Sequence, residues 1–214
     1  MKLHGYYRSS TSYRLRCALE LKGIDYENCG VNLLKSEQKG EAYTSRNPFG
    51  SVPMLETDAG DKMQSMAIIE WLDEAYPDAP LLPADLEQRY IARELAYAVA
   101  TELHAPLNLP VLKYLKEEYG QSQDSVDTWY RHWLARTLDP LEQRLAQLKT
   151  GDFLFDSPGF FEVVLMPQIY NARRFEFDFG DKPHMARIEA ACLALPAFQR
   201  AHPDAQPDNP DNKD

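Results

Sequence analysis

Tyr76-Pro77-Asp78-Ala79-Pro80-Leu81-Leu82-Pro83 places three prolines within eight residues, and neither a helix nor a strand runs through such a segment. It divides the chain into two stretches of different periodicity. Ahead of it, residues 1–6 alternate like a half-buried strand, and Leu15, Ala18, Leu19 and Leu21 then recur at helical spacing up to a glycine stop at Gly23. The same reading gives a strand around 26–33, a short helix around 38–45, strands at 54–56 and 62–64, and a helix over 65–75. The turn signal Asp58-Ala59-Gly60-Asp61 joins the last two strands. Behind the prolines only helical spacing is found. Leu95, Val99, Leu103 and Leu107 recur every four residues, and Leu134, Leu138, Leu141, Leu145 and Leu148 every three or four. Helices are expected over 86–118, 125–148, 159–175 and 184–195, with a short piece after Pro196.

The fold class is therefore α/β followed by all-α. Residues 1–78, in the order β-α-β-α-β-β-α, form a thioredoxin-like layer. Residues 79–86 form a linker, 87–202 a helical domain, and 203–214, rich in Pro, Asp and Asn, a loose tail. No run of about 18 apolar residues is present, so no membrane span is expected. Nor does the N-terminus resemble a secretory leader. Cys17, Cys29 and Cys192 are odd in number and lack metal-ligand spacing, which suits a reducing cytoplasm and points to no metal site. A formal net charge of −10 argues against a nucleic-acid partner, although local arginines such as Arg8 and Arg174 still suit a small anion.

Three polar stretches carry the chemistry. Ser9-Ser10-Thr11-Ser12, between Arg8 and Arg14, falls where the first strand ends and the first helix begins. Unpaired N–H groups and the positive end of the macrodipole favour an anion there, a carboxylate or a thiolate. The plainer reading is that these hydroxyls only cap the helix. Asn47-Pro48-Phe49-Gly50-Ser51-Val52-Pro53 is a turn entering a strand, and a cis Val52-Pro53 bond would leave the Val52 N–H and C=O for an extended peptide ligand. Gln64-Ser65 opens a second apolar helix and could receive another carboxylate.

In this order the stretches resemble the glutathione-binding domain of the soluble glutathione transferases. Arg8 to Arg16 is closest to the zeta-class signature Ser-Ser-Cys-Ser-x-Arg-Val-Arg, and the resemblance continues through Gln64 to Ile69, Tyr76 to Pro83 and Pro167 to Phe175. It implies glutathione as cofactor, a small anionic substrate and a homodimer. Ser9 is then the first choice for donating a hydrogen bond to the sulfur, with Ser10 and Thr11 lining the same pocket. Val52, Pro53, Gln64, Ser65, His104 and Asn108 would hold glutathione, and Arg8 and Arg174 the substrate carboxylates. The implied reaction is cis–trans isomerisation of a maleyl-keto acid such as maleylacetoacetate or maleylpyruvate. Two alternatives stay open: a transferase or dehalogenase acting on small electrophiles, and a non-catalytic interaction module.

The chain departs from the family pattern at several places. Thr11 stands for the signature cysteine, as in the maleylpyruvate isomerase branch. Phe49 stands for a glutamine, Leu107 for an amide, and Pro110 where that branch carries an arginine. Gly159 replaces the threonine that opens a central helix, with Glu162 expected to reach back to it. His104 and Arg174 also have plain readings, as a packed helix residue and a surface cation.

Overall fold

The computed structural model describes residues 1–212; Lys213 and Asp214, the end of the expected tail, lie outside the described residues. The described residues form two compact units, one of residues 1–82 with 193–212 and one of 83–192. In the first unit the strands β1 (Lys2–Gly5), β2 (Glu27–Gly30), β3 (Met54–Thr57) and β4 (Gly60–Met63) make a sheet in the order β2-β1-β3-β4. β2 runs parallel to β1, while β3 and β4 are antiparallel to their neighbours, with Leu3 opposite both Asn28 and Leu55.

Helix α1 (Ser10–Leu21) carries the fully buried Leu15, Ala18 and Leu19. It stops as the glycine predicts. Gly23 lies at φ +64°, its N–H donates to Glu20 O, and the Ile24 N–H donates to Leu19 O at 3.0 Å, the pair of bonds of a left-handed helix stop. A short α2 (Glu41–Thr44) precedes β3, and α3 (Ser65–Ala75) follows β4. The proline segment is tied down by Asp73, whose carboxylate accepts from the N–H groups of Leu81 and Leu82 at 2.6 and 3.2 Å. Lys22 donates to the same carboxylate at 2.9 Å and to Ala79 O at 2.7 Å, its side chain wholly out of solvent.

The second unit is helical. The expected helix over 86–118 is not continuous: α4 (Leu86–Tyr97) passes through a π-helical turn (Ala98–Leu103) into α5 (His104–Leu107), Asn108 is extended, and α6 (Leu109–Glu117) starts afresh. Pro110 is the physical reason. It has no N–H for the carbonyl of Pro106 four residues back, and the Trp129 indole donates to that carbonyl instead, at 2.9 Å. Helices α7 (Gln123–Leu148), α8 (Phe160–Arg174) and α9 (Pro183–Leu193) complete the unit. Glu162 caps the start of α8 as expected: its two carboxylate oxygens accept from the N–H groups of Leu154 and Gly159 at 2.7 and 2.9 Å. No helix among the described residues is long and apolar enough to cross a membrane.

The expectation of a loose tail is overturned for residues 203–212. After α10 (Pro196–Ala201), the segment folds back onto the first unit through two 3-10 turns, with Pro203, Gln206 and Asn209 buried. Its polar residues are ordered because they serve backbone and side-chain groups elsewhere. Gln206 donates to Arg200 O and His202 O and accepts from Asn28, and Asp208 accepts from the Tyr7 N–H. Composition reads such residues as solvated, whereas here partners up to 201 positions away satisfy them.

Candidate functional site

The four hydroxyls after Arg8 divide the work between them. Ser12 is fully buried, and its Oγ accepts from the Tyr6 N–H at 3.3 Å; a side chain on Gly5 would stand 3.0 Å from that oxygen. Ser9 is the N-cap of α1, its Oγ accepting from the Ser12 N–H at 3.3 Å. Ser9 Oγ also lies 2.9 Å from Thr11 Oγ1, and Thr11 donates to Val52 O at 2.8 Å. A hydroxyl has one proton, and a carbonyl oxygen only accepts. The proton of Thr11 therefore goes to Val52, and that of Ser9 to Thr11. The result is a directed chain, Ser9 to Thr11 to the carbonyl of Val52. Ser10 is buried at the first position of the helix.

Ser9, Thr11 and Val52 are thus brought together, across 41 residues of chain in the case of Thr11 and Val52. The Val52-Pro53 bond is cis. The expectation that the Val52 carbonyl stands unused is corrected: one of its lone-pair positions is taken by Thr11. Arg8 is half-buried, its guanidinium 5.3 Å from the centroid of the Tyr7 ring. At the start of α3, Ser65 is buried and Gln64 exposed, with Gln64 at φ +68°, a conformation that costs a non-glycine residue about 1–3 kcal/mol. Such strain clusters where a ligand is held.

The remaining expected residues belong to the helical unit. His104, half-buried, opens α5; Asn108, exposed, is the extended residue between α5 and α6. Arg174 is exposed on the last turn of α8, its Nη1 donating to Asn171 Oδ1 at 3.3 Å. It acts on Tyr130, which stacks on Phe175 with centroids 3.6 Å apart. Burial pushes the Tyr130 phenol well above its ordinary range, and the positive charge of Arg174 pulls it partly back. Among the described residues no cluster of His, Cys, Asp and Glu could hold a metal ion.

Residues 3–80 match the family model of the glutathione S-transferase N-terminal domain. The chain is 42% identical over 211 residues to the maleylpyruvate isomerase of a Ralstonia species, spanning 98% of this chain and all of that one. A holo structure of maleyl pyruvate isomerase, described as a bacterial zeta-class glutathione S-transferase, superposes with a TM-score of 0.95 at 42% identity, covering 97% of this chain and 99% of that one. The chain belongs to the zeta class of glutathione transferases. It is also similar to the maleylacetoacetate isomerase of Anaeromyxobacter dehalogenans, solved with bound GSH in its active site, with a TM-score of 0.87 and 42% identity over 98% of this chain and 97% of that one. The same protein has been solved with bound dicarboxyethyl glutathione and citrate.

In this zeta-class chain the departures from the family pattern have physical readings. Thr11 in place of cysteine supplies a strong donor for Val52, which a thiol would serve only weakly. Phe49 is 60% exposed, so its ring is not part of the core. Leu107 is buried and packs, whereas Leu109 and Pro110 are exposed at the new helix start. Two residues beside the hydroxyl cluster were not singled out by the sequence. Arg16, 1% exposed, donates to Tyr7 O at 2.9 Å and to Ala201 O at 2.8 Å, and Asp208 takes the Tyr7 N–H at 2.8 Å. Arg16 closes the family signature quoted above without carrying a role in it, and the only sequence signal for Asp208 was a carboxylate in a polar terminus.

Proposed function

We propose that this protein is a glutathione-dependent cis–trans isomerase of a maleyl-keto acid, maleylacetoacetate or maleylpyruvate. The observation that carries the reading is the directed hydroxyl chain at the N-terminus of α1, in a zeta-class chain aligned with isomerases from end to end. Its donor chemistry fits a thiol ligand. The helix end and the Ser9 hydroxyl favour a thiolate, and the buried Ser65 at the start of α3 offers a hydroxyl and a second helix N-terminus to a carboxylate. When bound, glutathione supplies the sulfur nucleophile that adds to the cis double bond and departs after rotation. Nothing is consumed.

Within this reading Ser9 lowers the thiol pKa by donating a hydrogen bond, while Thr11, anchored on Val52, keeps the Ser9 hydroxyl oriented until sulfur arrives. Ser10 lines the same pocket. Val52, Pro53, Gln64 and Ser65 hold the peptide in the N-terminal unit. Arg8 binds a substrate carboxylate, a planar bidentate task for which guanidinium is suited. The protein is a cytoplasmic homodimer in this account, and light scattering in solution checks the second point.

The test follows loss of maleylacetone with and without glutathione. Conversion to the trans product that requires glutathione, with free thiol undiminished, is the expected result. Net loss of thiol with an aromatic chloride, or glutathione-dependent chloride release from dichloroacetate, and no isomerisation, would instead identify a transferase or dehalogenase, the reading that the exposed Leu109 and Pro110 favour. Absence of glutathione binding would leave a non-catalytic module.

A further inference from the structure

The structure assigns to Asp208, in the C-terminal segment, the role of a positioning residue for Arg8 and Ser9, exercised through the peptide groups of Tyr7. This inference rests on the reading of the site given above. The loop that presents Arg8 and Ser9 is held at the polar backbone groups of Tyr6 and Tyr7. Tyr6 is fixed by Ser12 through its N–H and by a turn bond from the Ser9 N–H, at 2.9 Å, through its carbonyl. Tyr7, the residue before Arg8, is gripped from both sides. Its N–H donates to Asp208 Oδ2 at 2.8 Å, and its carbonyl accepts from Arg16 Nη2 at 2.9 Å.

Arg16 binds the other end of the segment too, donating from Nε to Ala201 O at 2.8 Å. Burial lowers the pKa of this guanidinium, and the charge of Asp208 is among the groups that oppose the change. The segment has been given room to approach. A Cβ on Gly30 would stand 3.1 Å from the Cβ of Asp208, so the strand beneath carries no side chain there, and Gln206 fastens the approach by accepting from Asn28. Among the described residues no group hydrogen-bonds to Asp208 Oδ1, which is buried. A neutral acceptor would satisfy the Tyr7 N–H alone; the carboxylate adds a negative charge facing the buried Arg16, so that loop, helix and C-terminal segment are locked as one piece.

The experiment compares full-length wild type, Asp208→Ala, Asp208→Asn and Gly30→Ala. The readouts are hydrogen exchange of the amides of residues 7–12, the pKa of the bound glutathione thiol from thiolate absorbance, and kcat with maleylacetone. Asp208→Ala should speed exchange of these amides about tenfold or more while α3 is unchanged. It should also raise the bound-thiol pKa and lower kcat by about ten- to a hundredfold, the scale of a misplacement near 1 Å. Asp208→Asn, which keeps an acceptor for the Tyr7 N–H but loses the charge facing Arg16, should recover part of each loss. Folded Asp208→Ala with wild-type exchange and thiol pKa, whatever its melting temperature, overturns the proposal. Should that variant not fold, Gly30→Ala decides in the same way, because its new methyl displaces Asp208. Failure of the functional reading is seen separately, as wild type that neither binds glutathione nor isomerises; exchange at residues 7–12 still tests the positioning.

Discussion

Replacing Ser9 separates capping from catalysis, because glycine and alanine differ as N-caps but equally lack the hydroxyl. The Ser9 hydroxyl donates to Thr11 Oγ1, 2.9 Å away, in a neutral hydrogen bond. To serve a thiolate it must leave that partner. The exchange replaces a bond worth about 0.5–1.5 kcal/mol by a charge-assisted one worth about 1.5–3, a net gain near 1–1.5 kcal/mol. At about 1.36 kcal/mol per pKa unit this amounts to roughly one unit of acidification. Ser9→Gly should therefore raise the bound-thiol pKa by about one unit, and the rate below that pKa should fall about tenfold. Ser9→Ala should show the same kinetic loss, with a further stability loss of about 0.5–2 kcal/mol against a few tenths for glycine. Thiolate absorbance against pH, the pH–rate profile and thermal melting measure the three quantities. A bound-thiol pKa unchanged in Ser9→Gly would refute Ser9 as the donor.

Thr11→Val should cost about 1 kcal/mol of stability by depriving the Val52 carbonyl of its donor, and should raise the bound-thiol pKa less than Ser9→Gly does; titration of both variants checks this. Glu162→Ala leaves two N–H groups without an acceptor and should cost about 2–4 kcal/mol, read as a melting temperature lower by about 5–15 °C. Burial raises the Glu162 pKa, so its charged form is disfavoured in the fold and its contribution to stability falls as pH rises above the ordinary carboxylate range. The stability advantage of wild type over Glu162→Gln should accordingly narrow between acid and neutral pH, as measured by denaturant unfolding. Lys22→Met should cost about 3–5 kcal/mol by leaving the Asp73 carboxylate, 11% exposed, without its cation, and Lys22→Met with Asp73→Asn should recover part of it in the same assay.

The sequence was most informative where the deciding interaction is local. Ser9 capping α1, Gly23 ending it, Ser65 opening α3 and Glu162 reaching back to Gly159 each depend on residues within a few positions, so spacing alone exposes them. What spacing could not show was where distant groups would find partners. The restart at Asn108 needed Pro110 to be weighed against a helical pattern that otherwise continues, and the donor that completes it, Trp129, comes from another helix. Thr11 looked like a pocket hydroxyl because nothing nearby in the chain announces the Val52 carbonyl as its acceptor. The C-terminal residues read as solvated for a similar reason, their partners lying at Tyr7 and Asn28.

Because the first unit draws on both ends of the chain, synthesis cannot complete it early. While the ribosome is still making the helical unit, the nascent β-sheet lacks α10 and Asp208, and the Tyr7 peptide waits without its C-terminal acceptor. Domains that emerge first usually fold first; here the leading one is finished last. A fragment ending at residue 82 is accordingly an unfinished layer rather than a portable module.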